Sequence, residues 1–115
     1  MDPVVIDMNK GSAYTNGLND GANKSGTGFT DVSLGRDLKT VTFTPKANGT
    51  VTLYIVQDKI MQEVKTVNCT ADTAGTIDLP ENDLVALLYN GASYYIQLKS
   101  GTDVYESYRV VTLSN

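Results

Sequence analysis

The chain has no histidine, no tryptophan and one cysteine among its 115 residues. Without histidine there is no Ser-His-Asp or Cys-His pair, and the commonest transition-metal ligand is missing. A lone cysteine forms no internal disulfide, and Cys69, with no imidazole to activate it, reads as a small apolar filler. A phosphate-binding loop, HExxH, CxxC and a dinucleotide fingerprint are all lacking. Cations are scarce, nine Lys and Arg against thirteen Asp and Glu, for a net charge of −4. That balance excludes the basic face needed for nucleic acid. No apolar run approaches the roughly 20 residues of a membrane-spanning helix. Met1–Asp7 carries neither the basic nor the apolar region of a signal peptide.

What the chain does have is strand and turn chemistry. Thr, Val, Gly and Asn dominate, which favours β-structure. Thr40–Thr44 alternates, with Val41 and Phe43 inward, and Pro45 ends it. Ala47-Asn48-Gly49 makes a hairpin turn into Thr50–Val56, where Val51, Leu53 and Ile55 share a face. Asp58-Lys59 is a turn into Met61–Val67, which reads as a strand or as one helical turn. Gly75–Leu79 alternates up to Pro80. Leu84–Tyr89 is an apolar run followed by the Asn90-Gly91 turn. The last quarter is a hairpin: Gly91–Lys99, a turn at Ser100-Gly101-Thr102, then Asp103–Val111. With Phe29–Leu34 and a short first strand at Val4–Ile6, this predicts eight or nine strands. The expected fold is all-β, an antiparallel two-sheet β-sandwich of jelly-roll or Ig-like type. The expected core is Val41, Phe43, Val51, Leu53, Ile55, Ile77, Ile96 and Leu98. One domain spans 1–115: residues 1–28 supply a short strand and a long loop, and 29–115 form the sandwich body.

Candidate chemistry is sparse. Acid pairs such as Asp103/Glu106 and Asp31/Asp37 have the residue type for glycosidase work but read as surface carboxylates. Enzyme activity is not expected. Asp7, Asn9 and Asp20 offer hard oxygen ligands suited to Ca²⁺, beside the ordinary reading that Asn/Asp-rich loops make turns; no other cofactor is implied. Asn-x-Ser/Thr triplets fall at Asn23, Asn48 and Asn68. The remaining lead is basic and aromatic. With Ile96 and Leu98 inward, Tyr95, Gln97 and Lys99 share the opposite face of their strand. Lys24, Arg36 and Lys39 lie in loops before the central hairpin. Aromatic platforms and convergent cations on a sheet face are a means of holding sugars, and the same residues also serve simply to solvate a surface.

Two segments carry a resemblance. Lys39–Tyr54, with its Thr42-Phe43-Thr44-Pro45 and Asn48-Gly49-Thr50-Val51, and Gly91–Val110, with Tyr94-Tyr95-Ile96, Ser100-Gly101 and Val104-Tyr105, are similar to small β-sandwich carbohydrate-binding modules appended to bacterial pectate lyases. The likeness covers roughly residues 28–113. It implies a non-catalytic, secreted module of a larger protein, probing plant cell-wall polysaccharide, with pectin (homogalacturonan) the favoured ligand. In the pectin-binding type lysines meet uronate carboxylates in place of a stacking tryptophan, and Lys39 and Lys99 occupy the matching positions. The reading of the surface adds Lys24, Arg36 and Tyr95, so that Lys39, Lys99 and Lys24 or Arg36 are expected to form one exposed cationic patch. Such a module is expected to be a monomer that binds neither nucleic acid nor membrane. The alternative is a structural β-sandwich subunit, a virion decoration or fibre or a cell-surface adhesin, which is expected to oligomerise.

Overall fold

The structure is a computed structural model that describes residues 21–36, 39–57, 60–80 and 92–112. The first strand expected at Val4–Ile6, the run Leu84–Tyr89 and the turns at Asp58-Lys59 and Asn90-Gly91 lie outside the described residues.

Eight strands follow in order: β1 Phe29–Leu34, β2 Thr40–Pro45, β3 Gly49–Gln57, β4 Ile60–Cys69, β5 Gly75–Asp78, β6 Ser93–Ser100, β7 Asp103–Val104 and β8 Tyr108–Thr112. No helix occurs among the described residues. One sheet has the order β1-β2-β5, and the other runs β4-β3-β6-β7 with β8 also on β6. Every strand pair is antiparallel. The two sheets pack face to face as a β-sandwich, as the alternation predicts. Met61–Val67, left open between strand and helical turn by its sequence, is strand.

Alternation explains the core. On β2, Val41, Phe43 and Pro45 are buried while Thr40, Thr42 and Thr44 are half-buried. Facing them are Val51 and Leu53 of β3 and Tyr94, Ile96 and Leu98 of β6, each wholly removed from solvent. Ile77 and Leu79 close one flank. Phe29 links the layers: its ring lies 5.7 Å from that of Phe43 in its own sheet and 6.5 Å from that of Tyr108 on β8, both edge-on. Such arrangements are favourable for aromatic quadrupoles. Of the eight expected core residues, seven are buried. Ile55 is only half-buried and lines a cleft with Ile60, Pro80 and Tyr94.

The turns follow their chemistry. Gly101 has φ +60°, which its Ser-Gly-Thr setting anticipates. Gly49 opens β3 beside the β6 backbone, where a Cβ would lie 2.0 Å from the Lys99 carbonyl oxygen, so only glycine fits. The β4–β5 loop is tied to the β2–β3 turn: Ala71 N–H donates to Asn48 Oδ1 and Asp72 N–H to Pro45 O, both at 2.8 Å.

Candidate functional site

The best-furnished surface is the outer face of the five-stranded sheet. Register partners across an antiparallel pair share a face. Opposite the core-facing set, β3 therefore presents Thr50, Thr52 and Tyr54. Beside them stand Lys99, Gln97 and Tyr95 of β6, and Asn68, Thr66 and Glu63 of β4. A bulge between Leu53 and Tyr54 leaves Val64 as an extra residue on β4.

Lys99 is the centre of this face. It is paired with Thr50, four residues before Tyr54, yet its ammonium donates to Tyr54 Oη at 3.0 Å and lies 5.7 Å from that ring's centroid. The two long side chains thus run toward each other along the sheet. Between them sits the register pair Thr52 and Gln97, both buried on an outward-facing position. Cation–π and hydrogen-bond contacts of this kind hold a cation at a fixed spot over a low-polarity surface. Gln97 Nε2 donates to Tyr105 O at 3.1 Å. On the β4 side the Thr66 hydroxyl donates to Glu63 Oε1 at 2.7 Å. That uses its single proton, so at the 3.1 Å Thr52–Thr66 contact Thr52 is the donor. A chain Thr52→Thr66→Glu63 fixes the carboxylate.

A second feature lies at the sandwich rim. Ile55, Gln57, Ile60, Gln62, Glu63, Val64, Pro80 and Tyr94 line a cleft of about 490 Å³. Ile60 is 67% exposed and Val64 38%. The Tyr94 hydroxyl is buried without a hydrogen-bond partner among the described residues, and burial pushes its pKa up. Burial likewise raises the Cys69 thiol, opposed by a hydrogen bond from the Gly49 backbone.

The structure divides the residues expected to form one cationic patch. Lys39 is exposed and precedes β2 in the three-stranded sheet, where its carbonyl accepts from Leu79 N–H. The chain then crosses the length of β2 before reaching Gly49 and Thr50, opposite Lys99. Six residues of strand make about 20 Å. Lys39 and Lys99 therefore belong to different sheets and opposite ends, and a single patch containing both is ruled out. Arg36, exposed in the β1–β2 turn, stays at the Lys39 end. Lys24 belongs to the Lys99 end: its backbone N–H donates to Val104 O, and Val104 pairs with Lys99. Its ammonium lies 3.8 Å from Asp103 Oδ1, with both side chains nearly half exposed. Lys99 itself is half-buried where full exposure was expected.

Tyr95 does share a face with Lys99 but is only 4% exposed, so it offers no platform. Its register partner Tyr54, half-buried, supplies the accessible aromatic ring. Sequence reading missed Tyr54, Thr66 and Glu63. The alternation Val51, Leu53, Ile55 put Tyr54 on the outer face, and that signal was there to be used. Among the described residues no three Cys, Asp or Glu side chains come together as a metal site. Asp7, Asn9 and Asp20 lie outside the described residues.

The class defined by fold and site is an all-β sandwich with a polar sheet face on which the Tyr54 ring is accessible. Set against family models, curated proteins and solved structures, the chain matches none.

Proposed function

We propose that this chain is a non-catalytic carbohydrate-binding module, secreted as part of a larger protein. Its ligand is an acidic plant cell-wall polysaccharide of the pectin type, held on the outer face of the five-stranded sheet. The observation that carries the reading is the Lys99–Tyr54 bridge, an ammonium fixed above a sheet face of hydroxyls, amide and aromatic ring. An ammonium pairs with a uronate carboxylate, the exposed Thr66 hydroxyl and Asn68 amide exchange hydrogen bonds with sugar hydroxyls, and the edge of the Tyr54 ring meets sugar C–H groups. Lys24 extends the same end, while Lys39 and Arg36 fall outside the site. Few cations contribute, and exposed pairs give only about 0.2–1 kcal/mol each, so binding is modest and weakens with salt.

Affinity electrophoresis in gels containing pectin tests this. Retention is expected in de-esterified pectin, reduced by added salt and by Lys99→Ala, and unchanged by Lys39→Ala. No retention on any acidic polysaccharide would defeat the proposal.

A second reading, the structural subunit, draws on a different observation. β4 is exposed along most of its ten residues, and Ile60 and Val64 project from it beside an apolar cleft. Exposed apolar residues clustered on an edge strand mark assembly surfaces. Sedimentation across a wide concentration range separates the readings: a stable oligomer abolished by Ile60→Asp favours the structural subunit.

A further inference from the structure

Two charges of opposite sign bracket one side chain on the sheet face, and Arg109 of β8, the register partner of Tyr95, adds a second cation to that face. Tyr54 stands on β3, the strand between β4 and β6. From the β6 side Lys99 reaches the Tyr54 hydroxyl. From the β4 side Glu63 is the direct register partner of Tyr54 and so shares its face. Neighbouring strands are about 4.8 Å apart. Neither charge is loosely placed. Lys99 is pinned by a hydrogen bond and a ring, and Glu63 accepts from Thr66 at the end of the hydroxyl chain from Thr52.

A polysaccharide crossing this face from β6 to β4 meets a cation first and an anion next. A carboxylate beside Lys99 is attracted. A second carboxylate one step further along would face Glu63 and be repelled. A hydroxyl or an esterified carboxyl group there meets no like charge, and a hydroxyl can donate to the Glu63 carboxylate. We infer that Glu63 is a specificity-determining residue: it makes the face select a chain in which a charged uronate lies next to a neutral sugar or ester, over one charged at every position. The inference rests on the proposal that this face binds acidic polysaccharide, and it names the pattern of charge that the ligand must carry.

The test is affinity electrophoresis of the whole chain on three probes: fully de-esterified, half-esterified and nearly fully esterified pectin. The wild-type protein is expected to be retained most by the half-esterified probe and least by the nearly fully esterified one. Glu63→Gln keeps an amide oxygen to accept from Thr66 and removes the charge. It is expected to strengthen retention on the fully de-esterified probe by about threefold, the scale of one exposed charge pair, with little change on the half-esterified one. Tyr54→Phe, which frees the Lys99 ammonium, is expected to weaken retention on both acidic probes. Unfolding curves of each variant establish that the fold is kept. Retention that falls steadily from fully de-esterified to esterified pectin, with Glu63→Gln acting equally on all three, overturns the inference and leaves the binding reading standing. No retention of any probe overturns both.

Discussion

β4 and β6 flank the same strand, β3, in the same sheet, and they are close in length, ten and eight residues. In environment they are opposites. Tyr94 through Leu98 on β6 are buried without a break, whichever face they point to. On β4, Gln62 through Thr66 are all exposed. The inner residues of β6 lie beneath the three-stranded sheet. Of its outer ones, Gln97 is buried with its amide on the Tyr105 carbonyl. β4 lies on the other side of β3. Position within the sheet, more than the composition of the strand, decides what each side chain can do: β6 holds the molecule together, and β4 is mostly exposed.

The contrast is broken most forcefully by truncating equivalent side chains. Ile96→Ala empties a wholly buried site and is expected to cost about 3 kcal/mol or more, whereas Val64→Ala on β4 should stay within about 0.5 kcal/mol. Denaturant unfolding measures both, and similar values for the two would refute the difference in cover.

Tyr94 sharpens the comparison on the buried side. Its hydroxyl has no hydrogen-bond partner among the described residues, so Tyr94→Phe is expected to raise stability by about 1 kcal/mol. It also makes the fold sensitive to alkali. Burial raises the folded pKa above its ordinary value of 10.0, so the native state keeps the phenol protonated after the unfolded chain has begun to lose it. The contribution is complete below the unfolded pKa and is lost as pH rises through the folded one. Unfolding followed from neutral pH to above 10 should show a steeper loss for the wild type than for Tyr94→Phe.

The smallest effect is expected at the surface. Asp103→Asn removes the partner of Lys24 from a pair nearly half exposed on both sides, and stability should change by less than about 0.5 kcal/mol, decreasing with salt.

These same strands show what the sequence can and cannot convey. Alternation identified strands and seven core residues, because a period of two reports which face a side chain takes. It does not report what covers that face. Tyr95 and Gln97 read as an outer surface and are buried, and the Gln97 amide meets the Tyr105 carbonyl of a different segment. Ile55 reads as core and is half-buried, since it borders a cleft whose other walls come from residues its own strand does not report. Lys39 and Lys99 each stand by a strand of the resembling pattern, but only the order of strands in two sheets separates them by the length of β2. The division into β1-β2-β5 and β4-β3-β6 depends on long-range pairing, which local residue chemistry leaves open.

The claim that the Lys99 face is the binding surface is tested most directly by backbone amide NMR during titration with a half-esterified galacturonate oligosaccharide. The account expects shift changes concentrated at Thr52, Tyr54, Glu63, Thr66, Gln97 and Lys99, absent in Lys99→Ala, with Arg36 and Lys39 silent. Shifts centred on Arg36 and Lys39, or on the Ile60 and Val64 rim with the sheet face unmoved, would contradict it.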